Sequence, residues 1–199
     1  MTLDKYIPNR ACCGDAYTAL YEFVGRLMGV AIRSENPLSL DLASLVWKPL
    51  VGTPLDIHDL QATDELCVGA MRALLDDKAL AEKGVNHDNF EDIYGFSFTY
   101  ASSDGSVVDL VPDGSHMPVR WQDRHEYARL VIDFRLRELA PQIAAIRRGL
   151  LQVIPARGLA LLTWKELELE VCGNPEIDVQ VLKVRITCQR LLHAQTALI

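Results

Sequence analysis

Tyr21-Glu22-Phe23-Val24-Gly25-Arg26-Leu27-Met28-Gly29-Val30-Ala31 lies within a run from Tyr17 to Arg33. In that run Leu20, Phe23, Val24, Leu27, Met28 and Ala31 recur at helical spacing. Gly25 and Gly29 stand four residues apart, which brings them onto one face of the helix. In a bilayer that spacing would suggest a dimer seam, but Arg26 and the short apolar span reject a membrane setting. The remaining reason for two glycines inside a helix is the close approach of a second helix. A helix-on-helix core centred on this stretch is therefore expected.

Moving outward, residues 1–16 carry Pro8, Asn9 and Gly14 and read as an irregular lead-in. After the turn at Asn36-Pro37, a helix is predicted from Asp41 to Leu50 and a short one from Asp56 to Leu60. Asp64 is placed to cap a helix bearing Cys67, Ala70, Met71, Leu74 and Leu75, which ends in Asp76-Asp77-Lys78 before a loop at Gly84. The period then changes to two. Phe96-Ser97-Phe98-Thr99-Tyr100 reads as a strand, Asp104-Gly105 as a hairpin turn and Val107-Val108 to Val111 as the return strand. Pro112-Asp113-Gly114 turns the chain again before Met117-Pro118-Val119. Helices resume with Asp123 and Glu126 in capping-box spacing. Tyr127, Leu130, Val131 and Phe134 lie on one side of this helix, with Ala128, Ile132, Leu136 and Leu139 on another, so it touches something on each. Pro141 should break the run, which continues through Ile143 and Leu150 to Pro155. Thr163 with Glu166 is a second capping box, Gly173 a helix stop, and Asp178 a cap for a helix through Val181 and Leu182. The expected class is α+β, mainly α, with a small β-hairpin insert between helices.

The 199 residues carry 20 basic and 27 acidic side chains, a formal net charge of −7, which excludes the broad basic surface of a non-specific nucleic-acid binder. With neither a signal peptide nor a membrane-spanning run in view, and five cysteines at 12, 13, 67, 172 and 188, free thiols in the cytoplasm are expected. Phosphate-binding, dinucleotide-binding and nucleophile-elbow motifs are absent, and no cofactor is implied. His125-Glu126 begins like a zinc-protease helix, but Arg129 stands where the second ligand would be, and the other histidines are scattered; no metal is expected. A reactive cysteine needs a cation, a histidine or a helix N-terminus beside it. Cys172 is predicted at a helix C-terminus and Cys67 on an apolar face. Arg10 stands near Cys12-Cys13, and Cys188 lies between Arg185 and Arg190 without a visible base.

Several segments, taken in order and spacing, resemble the N-terminal lobe of HECT-type ubiquitin ligases. They are Tyr21 to Ala31, of the form F-x-G-x-x-x-G-x-A; Leu50-Val51-Gly52-Thr53-Pro54-Leu55 with Asp59-Leu60; Val108-Asp109-Leu110-Val111-Pro112-Asp113-Gly114 with Arg124-His125-Glu126-Tyr127; and Glu166-Leu167-Glu168 with Val171-Cys172-Gly173. The last group continues to Ile177-Asp178 and Leu182-Lys183. Pro37-Leu38-Ser39-Leu40, Val46-Trp47-Lys48 and Gln142 to Arg147 look most like the giant, HERC-type members that also carry RCC1-type repeats.

The resemblance implies a large helical subdomain and a small subdomain, residues 64–131, that docks an E2 ubiquitin-conjugating enzyme. Its contacts would be Cys67, Ala70, Met71, Ile93, Tyr94, Tyr127 and Val131. In the family, ubiquitin passes from the E2 to a cysteine of a C-terminal lobe and then to a substrate lysine, which is nucleophilic catalysis in two transfers. Here the pattern is left after Lys183. Thr187-Cys188-Gln189-Arg190 is not the family's Thr-Cys-Phe motif, so no catalytic residue is assigned. Residues 1–199 are expected to be a partial HECT domain lacking the C-terminal lobe and the elements ahead of Met1, and inactive alone. The alternatives are a non-catalytic module competing for conjugating enzymes and a fragment that does not fold stably. Expected partners are an E2, ubiquitin and an unknown protein substrate, with no nucleic acid and no membrane.

Overall fold

The computed structural model describes residues 5–174. The helix expected at Asp178 to Leu182, the Leu182-Lys183 match and Cys188 lie outside the described residues.

Helix α1 (Asp15–Ser34) is paired with a helix that the sequence breaks off at Pro141, α8 (Ala140–Leu151). The two backbones nearly touch. A Cβ at Gly25 would lie 1.9 Å from the Ile146 carbonyl oxygen, and one at Gly149 would lie 1.9 Å from that of Glu22. Gly29 faces Val153 in the turn after α8, where a Cβ would fall 2.6 Å from the valine Cβ. Around this pair pack α2 (Ser44–Leu50), α9 (Ala156–Leu159) and α10 (Trp164–Cys172), while α3 (Ile57–Gln61) lies against α2. Met28, Val46, Trp47, Leu50, Leu150 and Leu167 form the interior of this first core. Burial of each such side chain stabilises by about 1.5–3 kcal/mol, and their clustering on several short elements explains why those elements hold.

Its polar fixtures are local. Asp56 caps α3, and the nearly buried Asp59 is matched by Lys48 Nζ at 2.7 Å and Ser44 Oγ at 2.7 Å. The hydrogen bond to Asp59 is the main reason the Lys48 ammonium titrates above its ordinary range. Thr163 and Glu166 close the capping box at the start of α10, and Gly173, at φ +73°, ends it.

A second core is built from α4 (Glu65–Leu75), α5 (Asp77–Glu82), α6 (Phe90–Tyr94), the hairpin β1 (Thr99–Ala101) with β2 (Val107–Asp109), and α7 (Arg124–Arg137). The strands are antiparallel, with Thr99 opposite Asp109 and Ala101 opposite Val107. Gly105, at φ +82°, makes the turn. Cys67, Met71, Leu80, Phe90, Phe98, Val119, Tyr127 and Val131 fill the interior. Helix α7 spans both worlds: Tyr127, Ala128 and Val131 belong to the second core, whereas Leu139, just beyond its end, belongs to the first. The helix is covered by both α4 and α3, but not along the division read from the sequence, since Ala128 and Ile132 pack in the same core as Tyr127 and Val131.

Four local readings change. The strand expected at Phe96–Tyr100 pairs regularly only from Thr99. Phe96 and Phe98 instead bond the Met117–Val119 segment, through Val119 N to Phe96 O at 2.9 Å and Phe98 N to Met117 O at 3.0 Å. The helix expected from Asp41 begins at Ser44, because residues 41–43 are extended and pair with Tyr6. Asp76 not only follows α4 but also caps α5, accepting from Lys78 N and Ala79 N. Finally, the Asp123–Glu126 box does not form. A 3-10 turn (Trp121–Asp123) runs straight into α7, Asp123 turns back to the Arg120 N–H, and Glu126 pairs with Arg129. No described helix is long and apolar enough to cross a membrane.

Candidate functional site

The seven residues singled out for docking all belong to the second core or its surface, and they divide sharply by exposure. Asp64 caps α4 by accepting from Cys67 N at 2.9 Å, which sets the helix phase. That phase turns Cys67 and Met71 inward, and Tyr127 and Val131 of α7 meet them there. All four are buried. Ala70 of α4 and Ile93 of α6 are exposed, Ile93 by 53%, and Tyr94 is half-buried at the edge of the core.

An aromatic ladder joins the two groups. Ring centroids lie 5.0 Å apart for Phe90 and Tyr94, 5.1 Å for Tyr94 and Phe96, and 5.6 Å for Phe96 stacked on Tyr127. Phe98 meets Tyr127 edge-on. The Tyr127 hydroxyl donates to the Thr99 carbonyl at 3.1 Å, so the ladder is pinned at its buried end to β1. Tyr127 and the buried cysteine and methionine thus form a floor, and of the seven only Ala70, Ile93 and Tyr94 reach solvent.

Sequence reasoning passed over Leu66, which is 87% exposed and shares a helix face with Ala70 four residues on. Met117, on the segment bonded to Phe98, is also exposed. No local signal marked Leu66, since standing before a core position does not decide the side: Cys67 directly precedes the buried Val68 and is itself buried.

Two of the described thiols, Cys67 and Cys172, are poorly suited to nucleophilic work. Burial pushes the Cys67 thiol up, against a hydrogen bond with Tyr100 that pulls the other way. Burial also raises Cys172, which points at the Leu40 carbonyl at 3.5 Å. Cys13 is exposed. Among the described thiols, limited iodoacetamide labelling read by peptide mass spectrometry should therefore modify Cys13 well before Cys67 and Cys172. Early modification of Cys67 would contradict its burial. Among the described residues, no group of three His, Cys, Asp or Glu side chains is placed to hold a metal ion.

Outside the floor, a cleft of about 470 Å³ lies between the α2–α3 link and α8, lined by Pro54, Leu55, Arg137, Ile143 and Arg147 among others. It brings none of the seven residues together.

Residues 2–199 match the family described as HECT-domain (ubiquitin-transferase). The chain is 37% identical over 180 residues to the E3 ubiquitin-protein ligase HERC2 of Mus musculus and to that of Homo sapiens, covering 90% of this chain and 4% of each relative. It is also 37% identical over 200 residues to the probable E3 ubiquitin-protein ligase HECTD4 of Homo sapiens, covering 93% of this chain and 5% of that protein. The chain therefore spans about one-twentieth of the length of these curated relatives. A match over almost every residue, together with a mainly helical α+β fold holding one small antiparallel hairpin, makes this chain a member of the HECT-domain (ubiquitin-transferase) family.

Proposed function

We propose that this chain works as the E2-docking part of a ubiquitin transferase, with residues 64–131 as the docking unit. The observation that carries the reading is the set of apolar side chains left in solvent on that unit. Leu66, Ala70 and Ile93 stand on α4 and α6 outside a packed aromatic interior, apart from the other exposed apolar stripe, Leu20, Phe23, Leu27 and Val30 of α1. A few apolar anchors on a stiff support are what a protein interface needs, because most binding energy comes from a handful of positions. Cys67, Met71, Tyr127 and Val131 enter this reading as the support beneath the anchors, with Tyr94 between floor and rim. Its partners are an E2 carrying ubiquitin and, in a longer protein, a substrate whose lysine accepts the ubiquitin.

The chemistry of the family is acyl transfer through a cysteine. Cys67 and Cys172 are disfavoured for that step, since burial holds both in the thiol form. In this reading the chain holds the donor, a contribution of proximity, and does not itself take ubiquitin as a thioester.

The test is a titration of the folded chain against a panel of E2 enzymes, repeated with the Leu66→Asp, Ile93→Asp double variant. Binding by the wild type, weakened about tenfold or more in a variant of unchanged unfolding midpoint, is the expected result. A folded wild type that binds no E2, or a variant that binds as well as wild type, would sink the reading. In parallel, a non-reducing gel with charged E2 should show no ubiquitin on this chain that a thiol reductant removes.

A further inference from the structure

The segment that builds the second core leaves the first one at Asp64 and returns at Glu138, so two neighbouring crossings of the backbone join the parts. Such a double hinge leaves the angle between the parts free unless something else holds it. Helix α3 packs on α4 and α7, with Arg72 Nη2 donating to Gln61 Oε1 at 3.0 Å, and beside that contact one buried side chain sits where the angle could be held. The Glu138 carboxylate is almost wholly enclosed, with 2% of its side chain exposed. Its Oε1 accepts from Ser102 Oγ at 2.7 Å, from Ser103 N at 2.7 Å and from Ser103 Oγ, all in the hairpin loop between β1 and β2. Its Oε2 accepts from Arg135 Nη1 at 2.6 Å. Arg135 in turn reaches Asp64 Oδ2 with Nη2 at 2.7 Å, which ties the exit crossing to the entrance crossing.

The third member comes from the other part. Arg10 is anchored by its carbonyl, which accepts from Gln142 Nε2 of α8 at 3.2 Å. Its guanidinium bonds Ser102 Oγ, lies 3.8 Å from both Asp104 and Glu138, and covers the Phe134 ring at 5.2 Å from the centroid. The route from α8 through Arg10, the hairpin loop, Glu138 and Arg135 to Asp64 therefore closes a ring across the double hinge.

We propose that Glu138 is a positioning residue that fixes the angle of the docking unit against the α1–α8 core. A buried carboxylate that accepts from the hairpin loop and from α7, with Arg10 of the other part donating to the same Ser102 hydroxyl, is best satisfied at one relative orientation, because rotation of the unit strips partners from it. Ser102, Ser103 and Arg135 bond the carboxylate directly, and Arg10, 3.8 Å from it, joins the other part to it through Ser102. The consequence for transfer, a fixed placement of bound E2, rests on the docking reading. The angle itself does not.

The test measures that angle directly, without an E2. Spin labels go on Ser115→Cys and Arg157→Cys, exposed sites on the two parts, in a chain whose Cys12, Cys13, Cys172 and Cys188 are serine. Pulsed electron-spin distance measurements should give one narrow distribution for the parent. Glu138→Gln should broaden it or add a second distance, with the near-ultraviolet signals of both cores retained. Exchange of the Ser103 amide should accelerate by about tenfold or more. Ser102→Ala with Ser103→Ala approaches the same latch from the hairpin side, and should broaden the distribution even where Glu138→Gln proves too unstable to measure. An unchanged narrow distribution in either folded variant overturns the proposal. A parent chain with the narrow distribution that binds no E2 would instead overturn the docking reading alone.

Discussion

Replacing Gly149 with alanine should cost this protein about 3 kcal/mol or more, a large part of the ~5–15 kcal/mol that holds a domain of this kind folded. The added carbon would lie 1.9 Å from the Glu22 carbonyl oxygen, and the obstacle is backbone, which has no rotamer to change. Gly25→Ala meets the Ile146 carbonyl at the same distance and should behave alike. Because one separation of α1 from α8 relieves both clashes, the double variant should cost less than the sum of the two. Gly69→Ala is the control. Nothing lies within 4 Å of a Cβ there, on the exposed face of α4, so alanine should stabilise by about 0.5–1 kcal/mol. Urea unfolding at constant m-value measures all four. Gly149→Ala with an unchanged midpoint would mean that the two helices do not pack at this distance.

Tyr127→Ala comes second in size, at about 3–5 kcal/mol, from the loss of a buried aromatic side chain. The ring is 4% exposed, stacks on Phe96, meets Phe98 edge-on and donates its hydroxyl to Thr99. On the docking proposal this variant should lose E2 binding by loosening the second core, so it cannot report on contact, whereas substitutions at the exposed Ile93 and Leu66 can. Tyr127→Phe keeps the stack and leaves the Thr99 carbonyl short of a donor, at about 1–3 kcal/mol.

The phenol also carries a pH signature. Burial, with the Cys67 thiol beside it, pushes the Tyr127 pKa up from 10.0 to about 12. Between those values the unfolded chain releases the proton and the folded one keeps it, so the unfolded state binds fewer protons and stability falls as pH rises. The contribution is whole below pH 10 and is lost as pH climbs through the folded value. Tyr127→Phe should flatten that part of the alkaline unfolding curve. A slope identical in wild type and variant would place the titration elsewhere.

Local order was open to reading from the residues alone. Asp56, Asp64 and Thr163 cap helices because a short oxygen-bearing side chain ahead of an apolar period can do little else as well, and Gly105 and Gly173 turn the chain where φ must be positive. The sequence likewise determined that Gly25 and Gly29 await a close neighbour, that α7 must be covered on two sides, and that a hairpin interrupts the helices. Family membership was also legible, because motif order and spacing survive in the linear chain.

Which side of each element faces inward at the candidate site was not. Cys67, Met71, Tyr127 and Val131 look like contact residues in a linear reading and are interior in space, whereas Leu66 looks unremarkable and stands in solvent. The Asp123–Glu126 spacing promised a cap that the preceding 3-10 turn made unnecessary. Glu138 could not have been found at all from sequence. Its donors are supplied by residues 102, 103 and 135, and only the tertiary fold brings a hairpin loop and a helix end onto one carboxylate, with an N-terminal arginine 3.8 Å away. Caps, turns and periods act over a few residues and are written in the chain. Burial and long-range polar closure depend on the angle between two cores, which no local stretch encodes.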